Sequence, residues 1–164
     1  MNDTEFATAV EACFALLRRY ALMNLGGDEP LADQAVVEGI TAVWRTRRGV
    51  NWDRSTLLTK LVQAMRHRCA NIRRGQARQQ ARFVSLQDLP EQSHPRTDPY
   101  TRLDLLRSLE QAISLLAPAD AALVRAYYLE EKSLRVVASE CGMSPTWVMT
   151  RLRLLLQQLE RTLR

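Results

Sequence analysis

Arg45, Arg47, Arg48 and Arg54 surround Asn51 and Trp52, and Lys60, His67, Asn71, Arg74 and Arg78 follow at helical spacing. Guanidinium and ammonium groups hold phosphate oxygens, amides pair with base edges, and an indole ring stacks on an unpaired base. The set suits a single-stranded or melted nucleic acid. Two plainer readings compete with it: a solvated cationic face, and a Trp52 that plugs the core of its own domain. A second stretch, "SLRVVASECGMSPTWVMTRLRLLL" (residues 133–156), places a glycine between two apolar-patterned runs. On its second run Thr146, Thr150, Arg153 and Gln157 share one polar side, with hydroxyl, guanidinium and amide groups able to read a major groove. An ordinary helical hairpin fits the same pattern. No paired carboxylates, nucleophile–base set or Gly-rich phosphate loop stands out, so an enzyme is not expected.

Helices must position both stretches, because apolar spacing is helical nearly throughout and no useful run alternates with period two. Val10, Phe14, Leu17 and Ala21 mark a first amphipathic helix, and "NLGGDEP" punctuates it. A second helix runs from about Leu31 to Trp44, with Ala32, Val36, Ile40 and Val43 on one side. A third starts near Ser55 or Thr56 and continues towards Gly75 or beyond. There Leu58, Leu61, Val62, Met65, Cys69 and Ile72 form a buried stripe, opposite the row from Lys60 to Arg78, with Arg66 and Arg73 on its flank. Further helices are expected at Arg102–Leu116 and Pro118–Leu129. In the stretch after Ser133, Leu134, Val137, Ala138 and Cys141 pattern one helix. Gly142 suits a left-handed turn, Ser144 an N-cap and Pro145 a first helical position. Val148, Leu152, Leu155 and Leu159 then form the apolar stripe of the next helix. The expected fold is all-α: two small helical domains, 1–75 and 102–164, the second containing a helix-turn-helix, joined by a polar, flexible linker at 76–101 that holds Pro90, Pro95 and Pro99.

The net charge of +5 over 164 residues is unevenly distributed. Residues 1–44 carry two Arg against seven acids, whereas residues 45–82 carry eleven Lys or Arg against Asp53 alone. Residues 83–132 are again acidic and 133–164 basic. Such blocks are the electrostatic footprint of a nucleic-acid binder. Cys13, Cys69 and Cys141 are far apart, His67 has only His94 for company, and neither a disulfide framework nor a metal site is expected. No apolar run approaches the roughly 20 residues that span a bilayer, and the acidic N-terminus is unlike a signal peptide, so a cytoplasmic protein without membrane insertion is expected.

In order and spacing, the chain resembles bacterial sigma factors of the extracytoplasmic-function type, which have only regions 2 and 4. "LADQAVVEGITAVWRTRRG" is similar to the region 2 helix that docks on the polymerase clamp, and "DRSTLLTKLVQAMRHRCANIRR" to the promoter-melting helix after it. "FVSLQDLPE" is similar to the start of the family's interdomain linker. "LLAPADAALVRAYYLEEKSLRVVASECGMSPTWVMTRLRLLL" is similar to region 4 without a gap. The resemblance implies a factor that binds core RNA polymerase at its clamp and flap and directs it to promoter DNA, with no cofactor and with an anti-sigma protein as a further partner. It implies polymerase contacts from Gln34, Glu38, Trp44 and Arg45. It assigns the −10 element to Arg47, Arg48, Asn51, Trp52, Arg54, Lys60, His67, Asn71, Arg74 and Arg78. The −35 duplex falls to Ser144, Thr146, Trp147, Met149, Thr150, Arg151, Arg153 and Gln157.

The chain departs from the family at several of these positions. Gln34 and Val37 stand where an acid and a glutamine are usual, and Lys60 replaces a common aromatic. His67 and Asn71 replace a typical Asn and Asp, Glu131 stands at an expected turn glycine, and Met149 at a frequently basic position. Two other functions are compatible with the residues: a helix-turn-helix regulator that acts without polymerase, and a sigma mimic that titrates an anti-sigma partner. The second is motivated by Trp147 and Leu154, which lie about 20° apart on the helical wheel.

Overall fold

Asn2 opens the first helix with a reciprocal cap: its side-chain oxygen accepts the Glu5 N–H at 2.7 Å while the Glu5 carboxylate accepts the Asn2 N–H at 2.8 Å. The computed structural model describes residues 2–46, 53–83 and 99–163, and the regular structure among them is entirely helical. The helices are α1 (Asp3–Asn24), α2 (Glu29–Thr46), α3 (Arg54–Phe83), α4 (Pro99–Ser114), α5 (Pro118–Val124), α6 (Leu134–Cys141) and α7 (Pro145–Thr162). A π turn at Arg125–Leu129 continues α5 without a break, which accounts for the single helix expected there. None of these helices is long and apolar enough to cross a membrane.

α1, α2 and α3 pack mutually, and α3 is buried along the expected stripe: Leu58, Leu61, Val62, Met65 and Cys69 are in the core and Ile72 packs against it. α2 crosses α3 closely enough that a Cβ on Gly39 would stand 2.8 Å from the Met65 sulfur. α3 also runs to Phe83, so residues 76–83, expected in the linker, are helical. Gln, Ala and Arg are good helix formers, and they continue the helix after its apolar stripe has ended.

On α1 the expected face needs correction. Leu17 and Ala21 are fully buried, but Phe14 is 43% exposed, while Phe6, Cys13, Leu16 and Tyr20 are in the core. α1 packs against α4 and α7 as well as α2 and α3, which turns the buried arc towards Cys13 and Tyr20. A second correction concerns Cys141, which is exposed because α6 ends there.

The turn between α6 and α7 has the predicted geometry. Ser133 caps α6, Gly142 adopts φ 65°, and the Ser144 hydroxyl accepts the Trp147 N–H at 3.2 Å with Pro145 beginning α7. No atom lies within 4 Å of a Cβ built on Gly142, so a substitution there meets only the backbone penalty. Gly142→Ala should cost about 1–2 kcal/mol in urea unfolding, with little change in the slope.

The N-terminal and C-terminal helices are in contact, α1 with α4 and α7 and α3 with α7. The Tyr20 hydroxyl donates to the Tyr128 carbonyl at 2.8 Å in a buried bond, and Arg19 donates to the Ser108 hydroxyl at 2.8 Å. The two expected domains therefore share a seam in which these polar bonds lie beside one continuous apolar core.

Candidate nucleic-acid interface

The outer face of α3 is built by the stripe on its inner one: with the core residues fixed inward, positions 60, 67, 71, 74 and 78 must project to solvent. Lys60, His67, Asn71, Arg74 and Arg78 are all exposed. Arg74 donates to the Asn71 side-chain oxygen at 3.0 Å and to the Ala70 carbonyl at 3.2 Å, so its guanidinium lies flat along the helix. Several other cations have acidic partners: Arg18 with Glu29 and Asp33, Arg68 with Glu38, Arg73 with Glu131, Arg125 with Glu110. Among the described residues, Lys60, Arg74 and Arg78 take part in no salt bridge, so their charge is left for an external anion. The loop residues Arg47, Arg48, Asn51 and Trp52 lie outside the described residues, as does the side chain of Arg54.

Asp53, the one acid of the basic block, has a structural task that composition does not reveal. It accepts the Thr56 N–H at 2.7 Å and the Ser55 hydroxyl at 3.0 Å, capping α3. The backbone N–H of Thr56, foremost, holds its carboxyl below the usual range, with a smaller contribution from the charge of Arg153 on α7. An Asp followed by Ser and Thr ahead of an apolar run is the local signal for such a cap.

On α7, Ser144, Thr146, Thr150 and Arg153 are exposed and Gln157 partly so. Met149 points elsewhere: it packs against the core, its sulfur 3.9 Å from the Gln63 amide of α3. Trp147 is 45% exposed and Leu154 52%, leaving an apolar flank beside the polar face. Arg151 is engaged by Asp120 of α5, its Nε donating at 2.8 Å and Nη2 donating to the second oxygen. The guanidinium hydrogen bond holds the Asp120 carboxyl below its ordinary value. Because the folded value is the lower one, the pair stabilises the fold at neutral pH and is lost as pH falls through it. Asp120→Asn should cost up to about 1 kcal/mol at pH 7. As pH falls through the lowered folded value of Asp120, the urea midpoints of the two proteins should converge.

Along α2, Gln34, Glu38 and Arg45 fall within about 40° of one another on the outer side. Gln34 donates to Glu38 at 2.9 Å, and Glu38 also pairs with Arg68 at 3.5 Å. Trp44 turns inward instead, its ring edge-on to Phe6 with centroids 4.9 Å apart. Val37, 64% exposed, adds an apolar element beside this face.

Sequence reasoning placed Arg66 and Arg73 on a flank of α3 without a role. In the structure both reach the segment after the π turn, as described below. Burial pushes the Cys69 thiol up to about 11, so it is protonated and inert at neutral pH. No group of three metal-ligating side chains occurs among the described residues.

The class defined by these observations is an all-α protein with an exposed cationic helix face and a further helix pair, α6 and α7, joined by a left-handed glycine turn. No family model and no curated protein matches the chain. Among solved structures it is similar to the sigma factor RpoE, in complex with the anti-sigma factor NepR, from Bartonella quintana. The identity is 19%, the alignment covers 97% of this chain and 96% of that chain, and the TM-score is 0.36.

Proposed function

We propose that this protein is a sigma-like initiation factor that binds core RNA polymerase and directs it to particular promoters. The observation that carries the reading is the outer face of α3, where Lys60, Arg74 and Arg78 lie exposed beside His67 and Asn71 and form no salt bridge among the described residues. Cations on that face hold the phosphates, and the amide and imidazole reach bases of a −10 element melted over the helix. The loop with Arg47, Arg48, Asn51, Trp52 and Arg54 completes this first unit, residues 1–75. In the second, residues 102–164, α6 and α7 form the helix-turn-helix, which lays Ser144, Thr146, Thr150, Arg153 and Gln157 along the −35 duplex. Residues 76–101 connect the units, the part of α3 beyond Gly75 included. Gln34, Glu38 and Arg45 supply the polymerase contact on α2, and Trp44 supports that helix from within.

Run-off transcription with purified core polymerase and a randomised promoter library tests the proposal. Enrichment of a paired −35/−10 sequence that depends on this chain is the expected result. Binding to duplex DNA with no effect on polymerase would instead identify a stand-alone helix-turn-helix regulator. The exposed Trp147 and Leu154 favour one further reading, a sigma mimic that captures an anti-sigma protein. Absence of DNA binding even with polymerase present would select it.

A further inference from the structure

Glu131 is the only non-glycine residue among the described ones with positive φ, at 55°. That left-handed conformation is open to glycine without strain and unfavourable for glutamate, so a specific set of contacts must hold it. The contacts lie across the seam between the N-terminal and C-terminal helices. Arg73 of α3 forms a salt bridge with the Glu131 carboxylate at 2.5 Å. Arg66, two helical turns earlier on the same flank, donates from Nη2 to the carbonyls of both Glu131 and Lys132 at 2.8 Å. Its guanidinium also lies 4.2 Å from the centre of the Tyr127 ring. Tyr20 of α1 takes the Tyr128 carbonyl, so the orphan carbonyls that end the π turn are capped by side chains of the other unit. The second Glu131 carboxylate oxygen is buried and has no partner.

We propose that Glu131, with Arg66 and Arg73, is an intramolecular latch that holds the α4–α7 unit closed on α1–α3 in the resting protein. The latch itself stands on these contacts; its consequence for DNA rests on the function proposed above. In the closed form α3 lies against the Met149 side of α7, one turn from Arg153. An α-helix with its side chains is about as wide as the major groove, roughly 12 Å, so both flanks must be clear for it to enter. The closed form therefore withholds α7 from a duplex, and opening the seam releases it.

The test uses the full chain. Cys141 is exposed whereas Cys13 and Cys69 are buried, so spin labels on Cys141 and on a Val37→Cys substitution report the separation of the units. Electron–electron resonance should give one narrow distance for the otherwise unchanged protein and a longer, broader distribution for Glu131→Gly. The glycine suits the local φ, so loss of fold is not the expected outcome. Arg73→Ala, which changes no residue of the turn itself, should move the distribution in the same direction. A broad distribution before any latch substitution, or an unchanged narrow one in both variants, would overturn the latch. A single narrow distance requires a closed population above about 90%, so an opened Glu131→Gly should bind a −35-type duplex at least about tenfold more tightly. Longer distances without tighter binding would leave the latch standing and remove the DNA-reading role of α7.

Discussion

Replacing Lys60, Arg74 and Arg78 together with alanine should flatten the salt dependence of DNA binding by about two to three units in log K against log salt. Each phosphate contact releases condensed counterions, contributing about 0.7 units on a single strand and about 0.9 on a duplex, and three cations are removed. Between 50 and 200 mM salt, the unaltered chain should lose about 20- to 40-fold more affinity than the triple variant. Fluorescence anisotropy with a forked DNA carrying a single-stranded arm reads both quantities. All three side chains are exposed and none is in a salt bridge among the described residues, so the melting temperature should stay within a few degrees. A preserved slope with weaker binding would mean that these cations steer the ligand without touching it. A preserved slope with unchanged affinity would remove the α3 face from the interface altogether. The triple variant is preferable to single changes because one missing contact alters the slope by about the error of a titration.

The elements legible in the sequence are those whose signals are local. Gly142, Ser144 and Pro145 specify the α6–α7 turn through their own backbone preferences, and each adopts its expected role. The stripe on α3 was legible because one apolar face repeats over several turns, and its exposed opposite side follows from it. What was not legible depends on partners distant in the chain. The orientation of α1 is decided partly by α4 and α7, which no period within residues 3–24 encodes. Arg66 and Arg73 could be placed only on the flank of the stripe without a role, since nothing nearby shows that their acceptors lie 65 and 58 residues later. Glu131 was visible as an oddity against the family pattern, yet its positive φ and its place in the seam emerge only from the fold. Arg151 shows the same limit: its position suits a groove, but Asp120 lies within reach only after α5 packs beside α7.

The largest stability effect should come from Tyr20, and comparison with Phe14 on the same helix makes the effect diagnostic. Periodicity assigned Phe14 to the core, whereas the structure leaves it 43% exposed and Tyr20 only 4%. Tyr20→Ala removes a ring packed edge-on to Tyr128 with centroids 6.3 Å apart, and with it the buried hydroxyl bond to the Tyr128 carbonyl. Loss of a buried aromatic ring costs about 3–5 kcal/mol, and the abandoned carbonyl adds to that because no water replaces the donor freely. Phe14→Ala removes a side chain already largely hydrated and should cost less than about 1 kcal/mol. In a chain of this length the difference corresponds to a fall in melting temperature of about 2–4 °C per kcal/mol. Tyr20→Phe separates the two contributions: it keeps the ring and should lose only about 1–2 kcal/mol, the value of the hydrogen bond and the orphaned carbonyl. Urea unfolding of the three variants reads the series directly. Should Phe14→Ala prove the more damaging change, α1 is rotated from the orientation described here, and the seam between the two units must be redrawn with it.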